Sequence, residues 1–122
     1  MRRPMIFAVL LIACKGPPTD AELVGEYVIQ YSYGQETLSL KAGGSYQQVF
    51  VSKEGNVLRN SGKWEMRARE LLLRDAMDVD DGFGSFGDPS KRWDWWLVPE
   101  RSGDKIVIAV NPDAPERYEK QR

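Results

Sequence analysis

Few residues in this chain could do chemistry, and they fall in two places. The first is Cys14, the only cysteine among 122 residues that include no histidine. Histidine is the usual general base near neutral pH and the commonest metal ligand. One thiol cannot make an intrachain disulfide or a multi-thiolate metal site. The remaining Asp, Glu, Lys, Tyr and Ser residues show no nucleophile–base spacing. The chain therefore reads as a non-enzyme, with no catalytic residue, no metal ligand set and no cofactor.

The second place runs from Asp78 to Trp96. Gly82-Phe83-Gly84-Ser85-Phe86-Gly87 spells G-x-G-x-x-G. A dinucleotide loop would follow a strand and open a helix. Here DVDD precedes it, DPSKRW follows, and no helix pattern appears, so it reads as a flexible loop. Asp78, Asp80, Asp81 and Asp88 share that loop. Calcium would need several such oxygens around a sharp glycine turn. The EF-hand spacing fails, since Phe83 and Pro89 fall where glycine and glutamate belong. An irregular calcium site and a solvated acidic loop both stay open, and the second is the simpler. Trp93, Trp95 and Trp96 then put a large aromatic area on one strand. They could pack a core with one ring over its end. They could instead line the mouth of a pocket, with Phe83 and Phe86 forming an apolar lid over it. Membrane contact through Trp96 is a third role.

The surroundings of Cys14 are more specific. Arg2 and Arg3 precede an unbroken apolar run from Met5 to Ala13. As a helix that run spans roughly 14 Å, against a hydrocarbon core of roughly 30 Å. It is too short to cross, and Lys15, Gly16, Pro17 and Pro18 stop it. A basic start, a short apolar stretch and a small residue describe a secretory signal peptide. Leu11-Ile12-Ala13-Cys14 resembles the lipobox of bacterial lipoprotein signal peptides. The resemblance implies a diacylglycerol thioether on Cys14, cleavage before it and acylation of the new amino group. It assigns residues 1–13 to a signal peptide and 14–21 to a lipidated tether. The partner it implies is membrane lipid, in the cell envelope. Lys15 replaces the aspartate that holds enterobacterial lipoproteins in the inner membrane, which favours the periplasmic side of the outer membrane.

Cleavage would leave 15 of the 17 basic residues against 18 acidic ones, a formal charge of -3. No basic field points to nucleic acid.

Something must position the tryptophan segment, and period-two patterning says what. Tyr27, Ile29, Tyr31 and Tyr33 share one face. Leu38 and Leu40 alternate with Thr37, Ser39 and Lys41, and Tyr46, Gln48 and Phe50 share a face in the next run. SGKWEM, ELLLRDAM, RWDWWLV, KIVIAVN and RYEKQR follow, each separated by a turn. Trp64 to Met77 could form a helix, but the rhythm favours two strands joined near Arg67-Ala68-Arg69. Residues 22–122 are therefore expected to be all-β. About eight short antiparallel strands form a meander that closes, or partly closes, into a small barrel.

L-x-G-x-Y, then ETLSLKAGGSYQQVF, then SGKWE resembles the small lipocalin-like domains of bacterial lipoproteins. The closing IVIAVNPDAPERYEKQ fits their last hairpin. True lipocalins place G-x-W on the first strand. This chain has Gly25-Glu26-Tyr27 there and Gly62-Lys63-Trp64 later. The resemblance implies a barrel fold and an apolar or amphipathic ligand. The alternative is an envelope structural or interaction protein with a filled core. Side chains filling the barrel, with Tyr27, Ile29, Leu38, Leu40 and Trp95 packed together, would rule out a ligand held inside it and leave the alternative.

Overall fold

A computed structural model describes residues 16–121, so Cys14 and the expected signal segment lie outside the described residues. Eight strands follow a short helix α1 (Asp20–Leu23). They are β1 (Gly25–Tyr31), β2 (Gly34–Lys41), β3 (Ser45–Ser52), β4 (Val57–Arg67), β5 (Glu70–Met77), β6 (Arg92–Ser102), β7 (Lys105–Ala109) and β8 (Arg117–Lys120). Each pairs antiparallel with the next, and β8 returns to β1 through Tyr27↔Lys120 and Val28↔Glu119. The sheet is a closed up-and-down barrel, which removes strand edges along most of its length. The Trp64–Met77 stretch is two strands, hinged at Ala68, whose φ is 54°.

The alternating pattern sets which side chains point inward. Tyr27, Ile29, Leu38, Leu40, Tyr46, Phe50, Leu71, Leu73 and Ile108 are buried and belong to one cluster, with Trp95 packed against it. The middle of the barrel is therefore occupied by side chains.

The two ends differ. At the end where β1 starts, α1 forms a plug. Thr19 and Glu22 make a capping box, which satisfies the free N–H groups of a helix start. Leu23 is fully buried, and the Tyr27 hydroxyl donates to its carbonyl at 2.7 Å. Arg101 of β6 holds the Glu22 carboxylate through two hydrogen bonds, 2.8 and 3.0 Å long, and donates to the Gly16 carbonyl. That arginine keeps the Glu22 carboxyl at about 2, far below its ordinary value, helped by the Thr19 N–H. From Gly16 onward, the stretch expected as a leash is held against the barrel. The opposite end carries the long loop from Asp78 to Lys91 and the shorter one from Val110 to Glu116.

Candidate functional site

A cleft in the barrel wall

β6 is much longer than its neighbour β7. Its lower half pairs with β7 from Val98↔Ala109 down to Ser102↔Lys105. Its upper half pairs only with β5, through Arg92, Trp93, Trp95, Trp96 and Leu97. KIVIAVN continues the strand pattern to Asn111, but β7 ends at Ala109. The reason is the turn that follows. Asn111 accepts from the Ala114 N–H with its carbonyl and from the Asp113 N–H with its side chain. Asn followed by Pro112 is the sequence such a turn favours. The chain leaves the sheet there, and no main-chain hydrogen bond among the described residues joins the free edge of upper β6 to β7 or to the loop.

The breach opens into a cleft of about 460 Å³. Trp93, Trp95 and Leu97 line it from the inward face of β6 and Trp96 from the outward face, while Asp78, Asp80, Asp81 and Gly82 line it from the loop. Val110 and Asp94 complete the lining. All three tryptophans singled out in the sequence line it. Trp93 is 51% exposed and Trp96 46%, unusual for residues this apolar. Asp94 accepts from the Asp75 N–H at 3.1 Å and pairs with Arg74 at 3.2 Å. Asp75 sits at a bulge in β5 with φ 53°, and this contact fixes the bulge against β6.

The loop is built by its own aspartates. Asp81 accepts from the N–H groups of Phe83 and Ser85, and Asp78 from that of Asp88. Asp80 accepts from the Gly82 N–H and from the Tyr33 hydroxyl at 2.5 Å. Asn111 donates to the Gly82 carbonyl, tying the loop to the far side of the breach. The two phenylalanines part company. Phe86 folds down over the barrel end, its ring 5.2 Å from Tyr33 and 5.6 Å from Phe50. Phe83 is 83% exposed and does not line the cleft.

A buried carboxyl beneath the loop

Under Phe86 lies a group that the sequence pattern passed over. Glu36 is fully buried inside the barrel. Gln48, also fully buried, donates to Glu36 Oε2 at 3.0 Å and accepts from the N–H of Met77 and from Asn60. The Tyr118 hydroxyl neighbours both Glu36 and the Tyr31 hydroxyl. Yet Tyr31 Oη, Tyr118 Oη and Glu36 Oε1 close no hydrogen bond of ordinary geometry. Desolvation raises the Glu36 carboxyl to about 7; the nearby Asp80 charge adds to this, while Gln48 and Tyr118 oppose it. Burial likewise pushes the Tyr31 and Tyr118 hydroxyls upward. Glu36 stands two residues before Leu38, on the face of Leu38 and Leu40. That in-phase carboxylate was the available signal.

Fold and site define a closed eight-stranded β-barrel, plugged at one end and breached at the other beside an aromatic and acidic cleft. Compared with family models, with curated proteins and with solved structures, the chain matches none.

Proposed function

We propose that this chain is a membrane-anchored bacterial lipoprotein whose barrel holds an apolar or amphipathic ligand in the tryptophan-lined cleft. The observation that carries the ligand reading is the breach between β6 and β7, with half-exposed Trp93 and Trp96 on its wall. Its volume of about 460 Å³ suits a small molecule, since ligand sites span roughly 300–1,000 Å³. The packed interior leaves no room for a ligand in the middle of the barrel, so the ligand reading rests on the cleft in the wall alone. The same packing favours a second reading, an envelope interaction or structural protein without a small ligand.

Tryptophan emission separates the two. Titration of the soluble domain with decyl maltoside below its micelle threshold is expected to give a saturable change. Trp96→Ala, with unchanged circular dichroism, is expected to weaken that response by roughly tenfold or more, in line with the loss of one large aromatic contact. A linear response identical in wild type and variant would leave the second reading standing.

The anchor rests on the sequence of residues 1–14, with Leu11-Ile12-Ala13-Cys14 as its most specific part, and has its own test. Cys14→Ser is expected to accumulate as uncleaved precursor in a bacterial host and to take up no labelled fatty acid. Continued acyl labelling of that variant would remove the lipoprotein assignment while leaving the cleft untouched.

A further inference from the structure

The cleft has a charge as well as a shape. Asp78, Asp80, Asp81 and Asp94 line it, and no Lys or Arg does. Among the described residues only Asp94 has a cationic partner, Arg74. Asp78, Asp80 and Asp81 are satisfied by N–H and O–H groups, which orient them without cancelling their charge. The indole rings of Trp93, on the inward face of β6, and Trp96, on its outward face, line the same cleft and are each about half exposed. A tryptophan face attracts a cation through its quadrupole, more strongly than Tyr or Phe. Carboxylates in the same cleft add ordinary Coulomb attraction, strengthened where the walls exclude water. Aromatic and acidic linings therefore favour the same sign of charge.

From this geometry we infer that the cleft selects an organic cation, an amphiphile whose ammonium head lies at the loop end of the cleft, where Asp78 and Asp81 and the half-exposed tryptophans of β6 line it. Its apolar part would lie along Trp93, Leu97 and Val110. An anionic amphiphile such as a fatty acid would meet the Asp78 and Asp81 carboxylates, neither with a cationic partner, and be turned away. This inference rests on the cleft being a ligand site and names the class of ligand it takes.

Three probes with the same decyl tail and different heads test it, each below its micelle threshold and each followed by tryptophan emission. Decyltrimethylammonium is expected to bind roughly tenfold tighter than decyl maltoside, and decyl sulfate more weakly than either. Raising salt from about 0.01 M to about 0.15 M should shrink the difference, because screening shortens from roughly 30 Å to roughly 8 Å. The double variant Asp78→Asn, Asp81→Asn keeps the oxygens that accept the loop N–H groups, so the loop should stay folded. In that variant the advantage of the cation is expected to fall to less than about threefold, as expected if the two charges supply much of it. Equal binding of the cationic and anionic probes would overturn the inference while sparing the ligand site. So would a cation preference unchanged in the double variant. Failure of all three probes to bind would remove both the inference and the ligand reading beneath it.

Discussion

Replacing Phe50 by alanine is expected to destabilise the barrel by roughly 3–5 kcal/mol, a large share of the roughly 5–15 kcal/mol that holds a domain of this size together. Phe50 is 1% exposed and sits at the loop end of β3. Its ring lies 5.9 Å from Tyr33 and 5.6 Å from Phe86, so it joins the β1–β2 turn to the long loop. Directly against it is Gly34, where a Cβ would come within 2.6 Å of the ring. A glycine cannot move a side chain into the space that alanine would leave, so the void should persist. Cavities that cannot collapse are the costly ones. Phe86 would lose a ring partner at the same time. Urea denaturation followed by far-UV circular dichroism should therefore show a lower midpoint with little change in slope. Limited proteolysis should cut faster between Asp78 and Lys91. Phe50→Leu, which keeps most of the volume, should cost less. A loss below about 1 kcal/mol for the alanine variant, the scale of a single removed methylene, would mean that this ring does not seal the barrel end.

Much of this arrangement could be read from alternation alone. Tyr27, Ile29, Leu38, Leu40, Tyr46 and Phe50 recur at period two, and that phase decides which side of a sheet is buried. The turn glycines Gly43 and Gly44, both at φ near +90°, mark a hairpin for the same local reason. The tryptophan triplet was legible as a site candidate because so much aromatic area on one strand needs an explanation. The cleft itself was not legible, because it comes from a mismatch of length between β6 and β7. Strand ends depend on tertiary competition, and here a turn at Asn111 and Pro112 overrode two residues that pattern as strand. The roles of the phenylalanines were hidden for a related reason. Phe83 lies between two glycines and Phe86 between Ser85 and Gly87, and of the two only Phe86, at the isolated Asp80↔Phe86 bridge, lays its ring against Tyr33 and Phe50. Glu36 was missed because a carboxylate beside a turn is ordinarily a solvated one. The phase placed it inside; composition argued that it belonged outside, and phase won.

That outcome leaves a cost that a single substitution should remove. Glu36→Gln is expected to raise the stability of the folded protein at pH 8 by about 3 kcal/mol and to flatten its pH dependence. The sign follows from the direction of the shift. The folded carboxyl titrates at about 7 rather than at the ordinary 4.5, chiefly because burial penalises its charge. Below the lower value both states carry the proton and no penalty exists. Between the two values the unfolded chain has released its proton while the folded chain retains it, so stability falls as pH rises. Above about pH 7 the folded protein holds a buried anion, and the penalty is constant. A shift from 4.5 to about 7 corresponds to about 3 kcal/mol at roughly 1.4 kcal/mol per unit. Glutamine removes the charge and keeps the shape. One of its amide positions can accept from Gln48 as Glu36 Oε2 does, and the other gains an N–H. That N–H faces the region of Tyr31 Oη and Tyr118 Oη, neither of which has a partner now. Urea unfolding of wild type and variant at pH 4.5, 6 and 8 makes the comparison, and ionisations elsewhere, such as Glu22 with Arg101, cancel between the two. The difference should be smallest at the lowest pH and widen through pH 6 to 8. A variant that is less stable than wild type at pH 8 would show that Glu36 is held there as a needed anion, paired by something other than the groups named here.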